Sequence, residues 1–255
     1  MLRVVRRGRN ISMLLADPSI WRKLGAEYVG SLLLAAIVIG SGIAAQRLSP
    51  HSIGLELSES AAATGLGLFV LIATFGPISG AHFNPIVSMV DAAFGGVSWR
   101  AAWTYLVTQV AGCTSGAVLA NLMFSRAAIS LSTDHRATAG HGLSEVVATA
   151  GLILVIFALA KANRSSLAPA AVGAYIASAY FFTSSTSFAN PAIVIGRMLS
   201  NTFAGIAPQS APYFIAAEVA GGVLGFGCVK LLYPELSARD ASRVTDRLAR
   251  GDVPE

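Results

Sequence analysis

Six stretches of this chain are too long and too apolar for the core of a soluble domain of this size. They run at about residues 26–45, 60–75, 101–124, 144–162, 167–183 and 212–232. A helix that crosses the hydrocarbon of a bilayer needs about 20 predominantly apolar residues. In that solvent only helices and closed barrels satisfy the backbone. The fold class expected is therefore an all-α membrane protein with six transmembrane helices. Only 12% of the 255 residues are charged, against about a quarter in an average soluble domain. That scarcity excludes a soluble enzyme, a coiled coil and a disordered chain. Cys113 and Cys228 both lie in apolar stretches and read as small buried thiols rather than a bridge. The first stretch is longer than the apolar core of a signal peptide and no cleavage pattern follows it, so it is read as a retained span.

The few basic residues are unevenly placed. Arg3, Arg6, Arg7, Arg9, Arg22 and Lys23 precede the first span, and Lys230, Arg239, Arg243, Arg247 and Arg250 close the chain. If both ends face the cytoplasm, Arg100, Lys161 and Arg164 join them, and only Arg47, Arg126, Arg136 and Arg197 remain outside. The positive-inside rule thus predicts two cytoplasmic termini. These clusters flank spans and touch anionic lipid. They lack the aromatic interleaving of a nucleic-acid site, so no nucleic-acid partner is expected.

Two segments, 76–96 and 183–206, are too hydrophobic for solvent loops and too broken for spans, and each contains Asn-Pro. They occupy corresponding places in two halves of the chain. Glu27 near the start of the first half is answered by Glu145, Asn84-Pro85-Ile86 by Asn190-Pro191-Ala192, and Gln109-Val110-Ala111-Gly112 by Glu218-Val219-Ala220-Gly221. Three spans per half invert the second half relative to the first, the pattern of membrane repeats that build a path at their interface. Acidic residues within spans have two readings: a proton relay, or acceptors for the broken backbone of the interrupted segments. The matched positions of Glu27 and Glu145, and the neutral Gln109 opposite Glu218, favour the acceptor reading. The glycine pairs Gly112/Gly116 and Gly221/Gly225 fit close helix crossings.

Asparagine caps helices well and proline suits the first helical turn. Each Asn-Pro therefore predicts a short helix, about 85–94 and about 191–202, too short to cross. Dipping in from opposite faces, their N-termini bring partial positive charge to mid-membrane. The caps Asn84 and Asn190 keep amide hydrogens free for a passing solute. Such a centre repels cations and suits an uncharged solute with oxygen lone pairs.

The first motif, Ser79-Gly80-Ala81-His82-Phe83-Asn84-Pro85-Ile86-Val87-Ser88, and the second, Phe188-Ala189-Asn190-Pro191-Ala192, resemble the paired signatures of the aquaporin and aquaglyceroporin channels, the major intrinsic proteins. The resemblance covers about residues 24–233, with repeats at about 24–125 and 140–233. A basic segment, 1–23, and a tail, 234–255, stand outside it. It implies six tilted helices and two re-entrant half-helices, a homotetramer with one pore per protomer, no cofactor and no metal. In this reading Asn84, Pro85, Ile86, Asn190, Pro191 and Ala192 form the pore centre, and Glu27, Glu145 and His82 support the loops.

Three departures from the family pattern bear on selectivity. Ile86 replaces a usual alanine and is expected to reshape the central constriction. Ile193 stands where the family usually has the filter arginine, and Arg197, four residues on, reads as a complement to the C-terminal dipole of the half-helix. The remaining filter positions, carried over by spacing, fall at Thr64, Ser178 and Ser187. The resulting filter is small, uncharged and wide. The hydroxyl-rich run 183–187 either lines it or is a polar loop. Together these features resemble a bacterial aquaglyceroporin branch associated with arsenic resistance. The resemblance implies a multi-pass protein of the bacterial inner membrane that passes glycerol-like polyols, metalloid acids such as arsenite, and some water. The alternatives are a water-selective aquaporin and, with less support, a proton- or ion-coupled transporter using Glu27, Glu145 and Glu218. An intramembrane enzyme lacks a Gly-x-Ser-x-Gly motif, and a scaffold role requires Ile86 and Ile193 to occlude the path.

Overall fold

A computed structural model describes residues 18–234. The basic stretches 1–17 and 235–255 lie outside the described residues. Eight α-helices and no strands occur among the described residues. They are α1 (Pro18–Leu48), α2 (Ile53–Ser79), α3 (Pro85–Phe94), α4 (Trp99–Met123), α5 (Ala139–Lys161), α6 (Ala168–Phe182, entered through a 3₁₀ turn), α7 (Pro191–Arg197) and α8 (Ala211–Leu232). Six are long and apolar enough to cross a membrane, all except α3 and α7. They overlap the six apolar stretches read from the sequence. Their outer faces carry exposed Leu66, Val70, Val107, Val223 and Leu231, the inside-out surface expected of a chain whose solvent is lipid.

The helices pair as a repeat. In the first half α1 packs on α2 and α4; in the second, α5 packs on α6 and α8. The predicted glycine pairs sit at these crossings. A methyl on Gly112 or Gly116 would stand 2.8 or 2.9 Å from the Cβ of Ser31 or Ala35 on α1, and one on Gly221 or Gly225 would stand 2.8 Å from the Cβ of Thr149 or Ile153 on α5. One further close crossing had no matching motif: a methyl on Gly65 of α2 would meet the Gly173 carbonyl oxygen of α6 at 2.9 Å.

The interrupted segments differ from expectation at their edges. The first was expected to begin at residue 76, but α2 continues through Pro77 to Ser79 and ends on left-handed Gly80, whose N–H bonds the Gly76 carbonyl. Pro77 has no N–H to give the Ala73 carbonyl, so the ladder loses one bond a turn before the helix ends. The second half-helix was expected to reach residue 202, and α7 stops at Arg197. The carbonyls of Met198 and Leu199 are taken at 3.0 Å by the amides of Ser132 and Ser130 from the α4–α5 connection. The Asn121 side chain also donates to Leu199, at 3.0 Å. Those competing donors end the helix. At 1.5 Å per residue the two short helices together amount to about 25 Å, close to one hydrocarbon thickness.

Candidate functional site

The two short helices start at caps that mirror each other. Asn84 Oδ1 accepts from the Ile86 amide at 2.9 Å, and Asn190 Oδ1 accepts from the Ala192 amide at 3.0 Å and the Ile193 amide at 3.4 Å. Each side-chain amide then crosses to the other loop. Asn84 Nδ2 donates to the Ala189 carbonyl at 2.6 Å, and Asn190 Nδ2 donates to the Phe83 carbonyl at 2.8 Å. One of the two hydrogens on each amide is thus committed, where the sequence suggested that the whole NH₂ is free. The second hydrogen remains for a solute.

The loops leading to the caps have the same unusual backbone. Gly80, Ala81 and Phe83 adopt positive φ, and so do Thr186, Ser187 and Ala189 at the matching positions 106 residues on. Non-glycine residues rarely adopt that conformation, and it persists only where the surroundings enforce it. Buried carboxylates provide the enforcement. Glu27 accepts from the amides of His82 (3.0 Å) and Phe83 (2.7 Å), and from Ser79 Oγ and Gln109 Nε2. Glu145 accepts from the equivalent amides of Phe188 (2.9 Å) and Ala189 (2.7 Å), and Glu218 takes the next one, that of Asn190, at 2.8 Å. All three carboxylates are fully buried, and none lines the cavity described next. A relay would require them on the path, and they are consumed by loop backbone instead.

Past both caps runs a cavity of about 90 Å³. Asn84, Val87 and Asp91 line it from the first loop and α3, and Asn190, Ile193 and Arg197 line it from the second loop and α7. Much of the remaining wall comes from stripes at every fourth residue, Thr64, Leu68 and Ile72 on α2 and Ala168, Val172, Ile176 and Tyr180 on α6, with Leu34 and Val38 of α1 and Leu152, Ile156 and Phe157 of α5 beside them. This spacing places residues on one face of a helix.

Of the four filter positions carried over by spacing, Thr64, Ser187 and Ile193 are brought to the cavity. Ser178 is not. It is exposed, its hydroxyl donates back to the Tyr175 carbonyl at 2.7 Å, and it lies about 200° around α6 from both Ile176 and Tyr180. Tyr180, two residues on, lines the cavity instead, with its hydroxyl 3.1 Å from Thr64 Oγ1. The period of α6 carried that information; counting from the asparagines did not. Ser187 Oγ is buried without a hydrogen-bond partner. The rest of the hydroxyl-rich run ties the loop: Thr183 bonds the Ala179 carbonyl, Ser184 bonds Ser144, and Ser185 accepts from the Ser187 amide.

Three further readings change. Ile86 does not reach the cavity: its side chain lies against α8, where a methyl on Gly222 would meet Ile86 Cγ2 at 2.5 Å. A glycine across from the larger residue absorbs the extra volume. Arg197 was read as a dipole complement in an uncharged filter, yet it lines the cavity. Its Nε donates to the Ala204 carbonyl and its guanidinium carbon lies 3.3 Å from the centre of the Phe188 ring. Four residues beyond Ile193, it occupies the same helix face one turn further from the centre. Asp91, at the opposite end, was not singled out from the sequence and is 2% exposed. His82 hydrogen-bonds Ser88 of α3 at 3.0 Å and also lines the cavity.

The cavity thus has apolar walls, inward-facing amide hydrogens at its middle, a cation at one end and an acid at the other. Comparison with known proteins gives a consistent result. The profile of the major intrinsic protein (MIP) family matches residues 15–187. The chain is 43% identical to aquaglyceroporin AqpS of Rhizobium meliloti over 211 residues, 83% of this chain and 90% of that one. It is 31% identical to the glycerol uptake facilitator protein of Pseudomonas aeruginosa, over 84% of this chain and 90% of that one. Among solved structures, the aquaglyceroporin from Plasmodium falciparum superposes with a TM-score of 0.66 at 18% identity, over 85% of this chain and 98% of that one. At that identity the likeness concerns the fold.

Proposed function

Because this chain belongs to the major intrinsic protein family, whose members are channels and not enzymes, we propose that it passes uncharged, hydroxyl-bearing solutes down their gradients, glycerol-like polyols and metalloid acids such as arsenite among them. The protein is an integral, multi-pass membrane channel for small solutes, and glycerol is named for one of its relatives. The observation that carries the finer reading is the centre of the cavity. Two asparagine amides there each keep one uncommitted hydrogen, between apolar walls that offer an ion no replacement for its hydration shell. Asn84 and Asn190 act as donors to solute oxygens at the centre, with Pro85, Ile86, Pro191 and Ala192 building the caps that hold them. Thr64, Tyr180, Ser187, Ile193 and Arg197 set size and polarity at one end. Passive transport is favoured over ion coupling because Glu27, Glu145 and Glu218 all accept from loop amides.

The channel domain spans about 24–233 and assembles as a homotetramer, each protomer with its own path and with lipid on the remaining surface. Both termini face the cytoplasm of a bacterial plasma membrane, as the distribution of basic residues predicts. An even number of spans puts the two ends on one face. Tracing α1 to α3 places Asp91 toward that face, and Arg197 toward the other.

A water-preferring pore is the second reading, favoured by Arg197, Phe188 and Tyr180 at the outer end, where small neutral side chains alone were expected. A permeability panel decides between them: purified protein in liposomes, with water, glycerol, urea and arsenite measured side by side. Glycerol or arsenite flux well above that of empty liposomes supports the first reading. Fast water with neither solute supports the second.

A further inference from the structure

At the inner end of the cavity two hydrogen-bond acceptors face each other. Asp91 Oδ2 and His82 Nε2 are 3.9 Å apart, too far for a direct hydrogen bond. The state of the imidazole follows from its neighbours. The Ser88 hydroxyl donates to the Asn84 carbonyl at 3.1 Å and accepts from Gln109 Nε2 at 3.1 Å. A hydroxyl has one hydrogen and two lone pairs, so the lone pair left on Ser88 Oγ takes the ring nitrogen 3.0 Å away as a donor. With the Ser88 hydrogen on the Asn84 carbonyl, the ring hydrogen lies on Nδ1 and Nε2 of the neutral ring is an acceptor. Asp91 is equally constrained. Its carboxylate takes the Val97 amide, a methyl on Gly96 would stand 2.6 Å from Oδ2, and Oδ2 is buried with no hydrogen-bond partner. Both side chains line the cavity. A buried acceptor without a donor is costly, and Asp91 Oδ2 is held in place against Gly96.

We propose that Asp91 and His82 form a subsite for a dihydroxy unit, in which two adjacent solute hydroxyls donate, one to Asp91 Oδ2 and the other to His82 Nε2. This rests on the channel reading above and specifies its solute. The centre of the path supplies donors, from Asn84 and Asn190; the inner end supplies acceptors. A hydroxyl group is both, so a polyhydroxylated solute satisfies each zone in turn, whereas a solute with one hydroxyl fills only half of the inner pair. Adjacent hydroxyls on carbon and hydroxyls sharing one metalloid atom have the same donor pattern.

The test uses the full chain in liposomes, with glycerol flux followed against glycerol concentration. In the wild type the flux saturates. Ethylene glycol, with two adjacent donors, competes when present on both sides, and 2-methoxyethanol, with one, does not. Arsenous acid competing more strongly than ethylene glycol assigns the pair to metalloid hydroxides; the reverse order assigns it to polyols. Asp91→Asn and Asp91→Leu raise the half-saturating glycerol concentration about ten-fold, the loss of one hydrogen bond, and remove the competition. Asparagine keeps an oxygen for the Val97 amide, and thermal unfolding in detergent checks that both variants fold. Half-saturation unchanged in a folded variant, flux linear in glycerol, or equal competition by the two alcohols in the wild type overturns the proposal. The last two need no variant. Absence of any glycerol flux in the wild type overturns the channel reading itself and is a different outcome.

Discussion

Ser178 and Tyr180 stand two residues apart on α6 and face opposite ways, one to the outside and one into the cavity. Their substitutions should separate accordingly. Ser178→Leu leaves glycerol flux within about two-fold of wild type, as for an exposed site remote from the path. Tyr180→Ala removes the ring that meets Thr64, and is expected to raise the flux of four- and five-carbon polyols relative to glycerol in the same liposomes. Indifference at Tyr180, or sensitivity at Ser178, would place the wall of the path elsewhere. What could be read at this scale was the chemistry fixed by motif: both asparagines, and the carboxylates that serve the loops. What could not be read were directions. Ile86 turns toward a glycine on a distant helix, and Arg197 turns inward because Ala204, in the chain beyond α7, and Phe188, in the loop before it, receive it. Neither partner is local in the way a helical period is.

At the scale of elements, each re-entrant loop is held by an acid on a spanning helix. Glu145→Ala would strip the buried Phe188 and Ala189 amides of their acceptor, at a cost of about 3 kcal/mol or more. The expected outcome is a loss of thermal stability with a loss of flux for every solute together, unlike the solute-selective effects predicted at the cavity wall. A second expectation concerns α3 and α8. Gly222→Val drives a side chain into Ile86 and should destabilise by about 1–3 kcal/mol, as overpacking does. Ile86→Ala in the same chain should recover much of it, since contacting sites are not additive. A double variant no more stable than Gly222→Val would contradict that packing. The spans, their pairing and the first half-helix were legible because a 20-residue apolar run and an Asn-Pro cap are local signals. The end of α7 was not, since the donors that stop it come from Asn121, Ser130 and Ser132, about 70 to 80 residues away.

The whole molecule is close to twofold in its backbone and decidedly not in its charge. The loops repeat their dihedrals and their cross-bonds at a constant offset, yet one end of the path carries Arg197 and the other Asp91. Two helix N-termini and two amide donors converge at the middle, so that a cation meets an unfavourable field wherever it enters. Planar bilayers holding the protein should therefore show no potassium or proton current while liposomes from the same preparation pass neutral solute. Asn190→Asp should lower neutral flux, because it puts an anion where a donor is needed. A current through the wild type would rule out this account of the centre.

The cross-bonds between the loops also bear on how the protein is made. Asn84 donates to Ala189, and Asn190 donates to Phe83, so each half ends its own re-entrant loop with groups supplied by the other. While the chain is being synthesised, α1 to α4 are inserted before residues 189 and 190 exist. The first loop must then wait at mid-membrane with the Phe83 carbonyl and the Asn84 amide unanswered. The first half is an unfinished set of helices, and the second half completes a structure that began a hundred residues earlier.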